Sequence, residues 1–109
     1  MVKKGFVYLI FDPCSELYKI GVTKNVCNKR LKQLQTGNAT ILELKNYHES
    51  SFPYRVESLV HASLKPKKIL NEWYKLSPTD VANFKRMCDN AEKTIDALKD
   101  NPYFSKGLR

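Results

Sequence analysis

The chain has 109 residues, 42% of them hydrophobic and 28% charged, with a formal net charge of +8. That length suits one domain around one hydrophobic core, and the composition excludes a disordered chain. Three cysteines without a CxxC pair exclude a disulfide framework and a zinc knuckle, and read as reduced thiols of an intracellular protein.

Lys3 and Lys4 ahead of the apolar run Phe6 to Phe11 imitate a signal peptide, but the run is short, stops at Asp12-Pro13 and lacks a small-residue cleavage site. No run approaches the length that crosses a bilayer, so the expectation is a protein that is not secreted and has no membrane partner. Phe6 to Phe11 is β-branched and aromatic and reads as a strand, and Leu17 to Val22 as a second; the short connection makes them an antiparallel hairpin. Residues 25–35 read as a helix with Cys27, Leu31 and Leu34 on one stripe, stopped by Thr36-Gly37-Asn38, where Gly37 suits a left-handed terminus. Ile41 to Tyr47 reads as a third strand. Phe52-Pro53 opens a second helix through about Leu64, with Val56, Leu59, Val60 and Leu64 on its apolar face, and Pro66 ends it. Ile69 to Leu76 reads as short and extended or irregular around Trp73 and Tyr74.

Ser77-Pro78-Thr79-Asp80 is a helix start, with a capping Ser, Pro at the first position and an acid three residues on. Val81, Phe84, Cys88, Ala91, Ile95 and Leu98 follow at spacings of 3, 4, 3, 4 and 3. This is a long amphipathic helix that lies on the sheet or, as the lesser alternative, forms a dimer seam; a monomer is favoured. The fold class is α+β in a single domain over residues 1–109: a core over 5–76, a C-terminal helix over 77–99, and a loose tail from Asn101.

Charge is uneven. Residues 1–76 carry thirteen Lys and Arg against six Asp and Glu, and no acid lies between Glu16 and Glu43, where Lys19, Lys24, Lys29, Arg30 and Lys32 fall. Such a basic field favours a polyanionic partner, with Lys24, Lys29 and Lys32 as nucleic-acid contacts. Three further signals concern chemistry. Glu57 and His61, at i and i+4, share a helix face and could bind a divalent metal or move protons, although such pairs are often plain solvated surface. Tyr8 and Lys19 lie on the two hairpin strands and could share a face, where a cation favours phenolate; Tyr8 fits equally as a core residue. Arg30 could clamp a phosphate bidentately, or be one more solvated charge.

Phe6-Val7-Tyr8, Lys19-Ile20-Gly21, Lys29-Arg30-Leu31, Val56-Glu57-Ser58-Leu59-Val60-His61 and Glu72-Trp73-Tyr74 occur in order over roughly residues 5–76. Together they resemble the GIY-YIG nuclease superfamily, in the subfamily common in phages and large DNA viruses. Phe6 stands in place of the first motif's glycine, and Lys19 in place of the second motif's tyrosine. The resemblance implies a small antiparallel or mixed sheet of three main strands flanked by helices, and metal-dependent hydrolysis of phosphodiester bonds in DNA, with RNA left open. It implies one Mg²⁺ or Mn²⁺ on Glu57, Tyr8 as phenolate base with Lys19 lowering its pKa, and Arg30 stabilising charge on the phosphate. His61 would orient water or touch phosphate, and Asn71 would brace the site against nucleic acid. Two other readings stay open: a catalytically silent DNA-binding module, and a protein-interaction domain using the 81–98 helix.

Overall fold

The computed structural model describes residues 3–25, 27–37 and 41–99. The expected loose tail and the Asn38 end of the expected helix stop lie outside the described residues. Strand β1 (Gly5–Asp12) turns back into β2 (Leu17–Thr23) as an antiparallel hairpin in which Tyr8 faces Gly21 and Ile10 faces Lys19. Asp12 holds the turn: its carbonyl accepts from the Glu16 N–H at 2.8 Å and its carboxylate from the Cys14 N–H at 3.0 Å. Glu16 itself takes a left-handed φ of 60°. Helix α1 (Cys27–Thr36) follows, then β3 (Glu43–Ser50), which pairs with the other side of β1. Helix α2 (Pro53–Ser63) leads through a 3-10 turn at Lys65–Lys67 to the short strands β4 (Lys68–Leu70) and β5 (Trp73–Tyr74), and α3 (Pro78–Leu98) closes the order.

The sheet has five strands in the order β3-β1-β2-β5-β4, and every described pairing is antiparallel. This corrects the expectation of three main strands. Strands of three and two residues carry too little alternation to be read from sequence. What holds β5 is its register on β2, with Tyr18 opposite Tyr74 and Lys19 opposite Trp73, plus the Ile20 N–H donating to the Glu72 carbonyl at 3.2 Å. β3 also runs further than Tyr47, through polar residues that α3 satisfies. His48 Nε2 donates to Glu92 Oε1 at 2.9 Å, Lys85 Nζ donates to His48 Nδ1 at 2.9 Å, and the Ser51 N–H donates to Glu92 Oε2 at 3.2 Å. The Ser50 hydroxyl donates to Glu92 Oε1 at 2.5 Å, so His48 and Ser50 are buried without being orphaned.

Alternation along the strands divides the core. Val7, Leu9 and Ile20 point to the side covered by α2 and α3, where they pack with Val56, Val60, Phe84 and Ile95. Tyr8 and Ile10 point to the other side, with Cys27 and Leu42 and the partly buried Leu31 and Leu34. The α3 stripe is thus used within the chain: Phe84, Cys88, Ala91 and Ile95 are buried in it. The α2 stripe is narrower than its sequence suggests, since Leu59 is exposed. None of the described glycines has a left-handed φ, so Gly37 does not close α1 in that way. Burial pushes the thiols of Cys27 and Cys88 up to about 11 and about 12, leaving only Cys14 exposed among three free cysteines.

The start of α3 carries the expected capping box between Ser77 and Asp80. Hydrogen bonds from Lys67 first, then from the Ser77 backbone, hold the Asp80 carboxyl below the usual range. A depressed carboxyl contributes stability above its unfolded pKa that is lost as pH falls through the folded one. Asp80→Asn should therefore cost about 1 kcal/mol at neutral pH and close its gap to wild type below about pH 4, read as thermal melting temperature against pH.

Candidate functional site

The site forms where β5 runs out. Its backbone reaches β2 only as far as Ile20, so Gly21 is the next β2 residue past that edge. Gly21 has no side chain, and the Tyr8 ring fills that space: a Cβ built on Gly21 would lie 2.3 Å from the Tyr8 hydroxyl. No other residue type fits here without moving Tyr8. The phenol is thereby directed across β2 rather than outward, and Tyr8 is 1% exposed.

Three charged groups act on this phenol. Arg30, from α1, lies close enough to favour the ionised form, and Glu72 and Glu57 lie close enough for their charge to oppose it. Burial is the largest influence and raises the Tyr8 pKa; Arg30 lowers it, and the two carboxylates raise it again. The balance keeps Tyr8 protonated well above neutral pH. Bringing a tyrosine from its usual 10 to 7 takes about 4 kcal/mol of differential stabilisation, which one guanidinium opposed by burial and two carboxylates does not supply. Arg30 Nε is itself buried and, among the described residues, has no hydrogen-bond partner.

Lys19 is placed differently from its expected role. It sits beside Tyr8's face of the sheet, but its ammonium pairs with Glu72 at 3.2 Å and lies 5.5 Å from the Trp73 ring centroid. It is not among the groups that shift Tyr8, so the expectation that Lys19 lowers the Tyr8 pKa is corrected. The cause is the β2–β5 register, which sets Trp73 opposite Lys19 and Glu72 next to it.

On α2, Glu57 and His61 share a face as their spacing requires, with Glu57 Oε2 3.6 Å from His61 Nε2. That distance is too long for a hydrogen bond. His61 Nε2 instead donates to the Ile20 carbonyl at 3.1 Å, so Nδ1 is the acceptor that faces the Tyr74 hydroxyl. Both ring nitrogens thus tie α2 to β2 and β5. Burial raises the Tyr74 pKa, and the Glu72 and Glu57 charges add to it, which suits a hydroxyl that donates to His61. Glu57, His61, Glu72 and Tyr74 line an open cleft of about 620 Å³, together with Lys65, Lys68 and Asn71. Asn71 reaches it from a left-handed turn, φ 52°, a conformation that asparagine tolerates.

Arg30 from α1 and Glu57 from α2 therefore both act by their charge on the Tyr8 phenol. Lys29 and Lys32 extend along the exposed part of α1 beyond Arg30, and Lys24 is exposed ahead of that helix. Sequence reasoning gave no role to Glu72, Tyr74, Lys65 or Lys68. Their signal is a register between segments some fifty residues apart, which no local pattern carries. The described residues contain no helix long and apolar enough to cross a membrane.

A family model for the T5orf172 domain matches residues 5–89. No curated protein and no solved structure matches the chain. The match corrects the GIY-YIG resemblance: the family found over the whole core is the T5orf172 domain, not GIY-YIG. Motifs of three to six residues were all that carried that resemblance, and two of them departed from its pattern at Phe6 and Lys19.

Proposed function

The chain belongs to the T5orf172 domain family, a nuclease-associated family of DNA-binding type, and from that premise we propose that it hydrolyses phosphodiester bonds in DNA with one divalent cation. The observation that carries this reading is that Arg30 and Glu57 act by their charge on one phenol, that of Tyr8, while Glu57 also lines an open cleft. Binding alone does not call for two carboxylates, Glu57 and Glu72, in a phosphate-binding cleft, where they weaken phosphate affinity. Among the described residues no three His, Cys, Asp or Glu side chains are grouped to hold a metal by themselves. Glu57, with Glu72 near it, fits an ion that takes one or two carboxylates and completes its shell with water and phosphate oxygens, as Mg²⁺ does, with Mn²⁺ an equivalent choice. When bound, such an ion polarises the phosphate and eases departure of the leaving oxygen.

The remaining work falls to the chain. Arg30 holds the phosphate and stabilises the charge that develops on it. Tyr8 Oη accepts the proton of the attacking water. His61 is a positioning residue: it fixes α2, and with it Glu57, against β2 and β5. Lys19 restrains Glu72 through their ion pair. Lys24, Lys29, Lys32 and Asn71 contact the DNA backbone.

Because its pKa is raised, Tyr8 is a base only in its minor, deprotonated fraction at neutral pH. The nicking rate should then rise by about tenfold per pH unit from pH 7 to 9, without a plateau. Supercoiled plasmid incubated with Mg²⁺ or Mn²⁺, with and without chelator, tests the reading, and loss of cation-dependent nicking at every pH would overturn it. The same raised pKa favours a second reading, a catalytically silent DNA-binding domain. Plasmid retarded on a gel but never nicked would establish that one instead.

A further inference from the structure

We infer that the β4–β5 hairpin is a wedge that opens a DNA base step beside the cleft, so that the site takes DNA with a missing or unpaired base in preference to intact duplex. This rests on the cleft being a DNA site. Ile69 and Leu70 are 57% and 63% exposed, and they are the only adjacent pair among the exposed large apolar residues described. They stand on β4, the outermost strand, immediately before the Asn71 turn. Neither belongs to either core cluster.

Their neighbours indicate the partner. Lys65 and Lys68, in the same segment, line the cleft, and Lys68 sits opposite Tyr74 in the β4–β5 ladder. Lys67 is committed to Asp80. An apolar tip flanked by two cleft-lining cations matches a partner that is anionic outside and apolar within. DNA has that chemistry: phosphates for the lysines, and base faces for aliphatic side chains, which minor-groove binders insert between steps. A second copy pairing along β4 fits less well, because that edge is short and basic in a chain of net charge +8. Opening a step costs least where a base is already missing or mismatched, which gives the preference.

The test uses the full chain in EDTA, so that no strand is cut, and duplexes carrying 2-aminopurine, either intact or with one abasic site. Wild type should raise 2-aminopurine fluorescence on binding and hold the abasic duplex about tenfold more tightly than the intact one. Ile69→Ser with Leu70→Ser should lose both effects while keeping the slope of affinity against salt. Lys65→Ala with Lys68→Ala should lower that slope by about 2 and keep the fluorescence rise. If the Ser variant retains the rise and the preference, or wild type binds with a normal salt slope and no rise, the wedge is overturned while the DNA reading stands. Wild type that binds neither duplex overturns the DNA reading and the wedge with it. A doubled solution mass that the Ser variant abolishes assigns the edge to a second copy and overturns the wedge.

Discussion

Glu57→Gln should remove the proposed cation-dependent nicking, by about a thousandfold or more, while the melting temperature should stay near that of wild type. Glu57 lies at the cleft wall, and its nearest ion-pair partner is His61 at 3.6 Å, so the fold loses little with its charge. Tyr8→Phe should match that loss of rate. It should also remove the climb with pH that Tyr8 imposes on whatever activity persists. Tyr8→Phe removes a buried hydroxyl that Arg30 acts on by charge, so its effect on stability should stay within about 1 kcal/mol. Plasmid nicking between pH 7 and 9, with circular dichroism melts on the same samples, separates chemistry from folding. Full activity in either folded variant removes the mechanism.

The second large effect comes from a residue with no chemistry. In Gly21→Ala the new methyl would stand 2.3 Å from the Tyr8 hydroxyl and 2.5 Å from its Cζ. The ring is rigid and 1% exposed, so it cannot swing aside into solvent. Overpacking of this kind costs about 1–3 kcal/mol, which lowers the melting temperature by roughly 4–8 °C for each kcal/mol in a domain this size. Nicking should fall with it, because the phenol leaves Arg30. In a Tyr8→Ala background the same methyl should add little further loss of stability, and full additivity there would show that Gly21 serves something other than Tyr8.

How far the sequence was legible differs by residue. The β1–β2 hairpin was readable because Phe6 to Phe11 and Leu17 to Val22 are β-branched or aromatic runs around Asp12-Pro13. The α3 helix was readable from its cap and its 3-4 stripe. Tyr8, Arg30 and Glu57 could be singled out by residue type and spacing, but not the sign of the Tyr8 shift. That sign depends on burial under the sheet and on two carboxylates that only tertiary structure brings near. Lys19 was legible as a lysine in a strand; its partner Glu72 was not, because a two-residue strand sets the register between them. The polar end of β3 was hidden for a related reason. No local pattern announces that His48 and Ser50 are buried, because Glu92, which accepts their hydrogen bonds, lies on a distant helix.

That last tie bears on where the domain can be cut. The family pattern stops at residue 89, yet Glu92, which anchors the inner end of β3, and Ile95, which is fully buried, both lie past it. A fragment trimmed at the family boundary would leave two buried polar side chains without an acceptor and a hole in the main core. The working unit for recombinant study therefore extends at least one and a half helical turns beyond the stretch that homology alone would mark out.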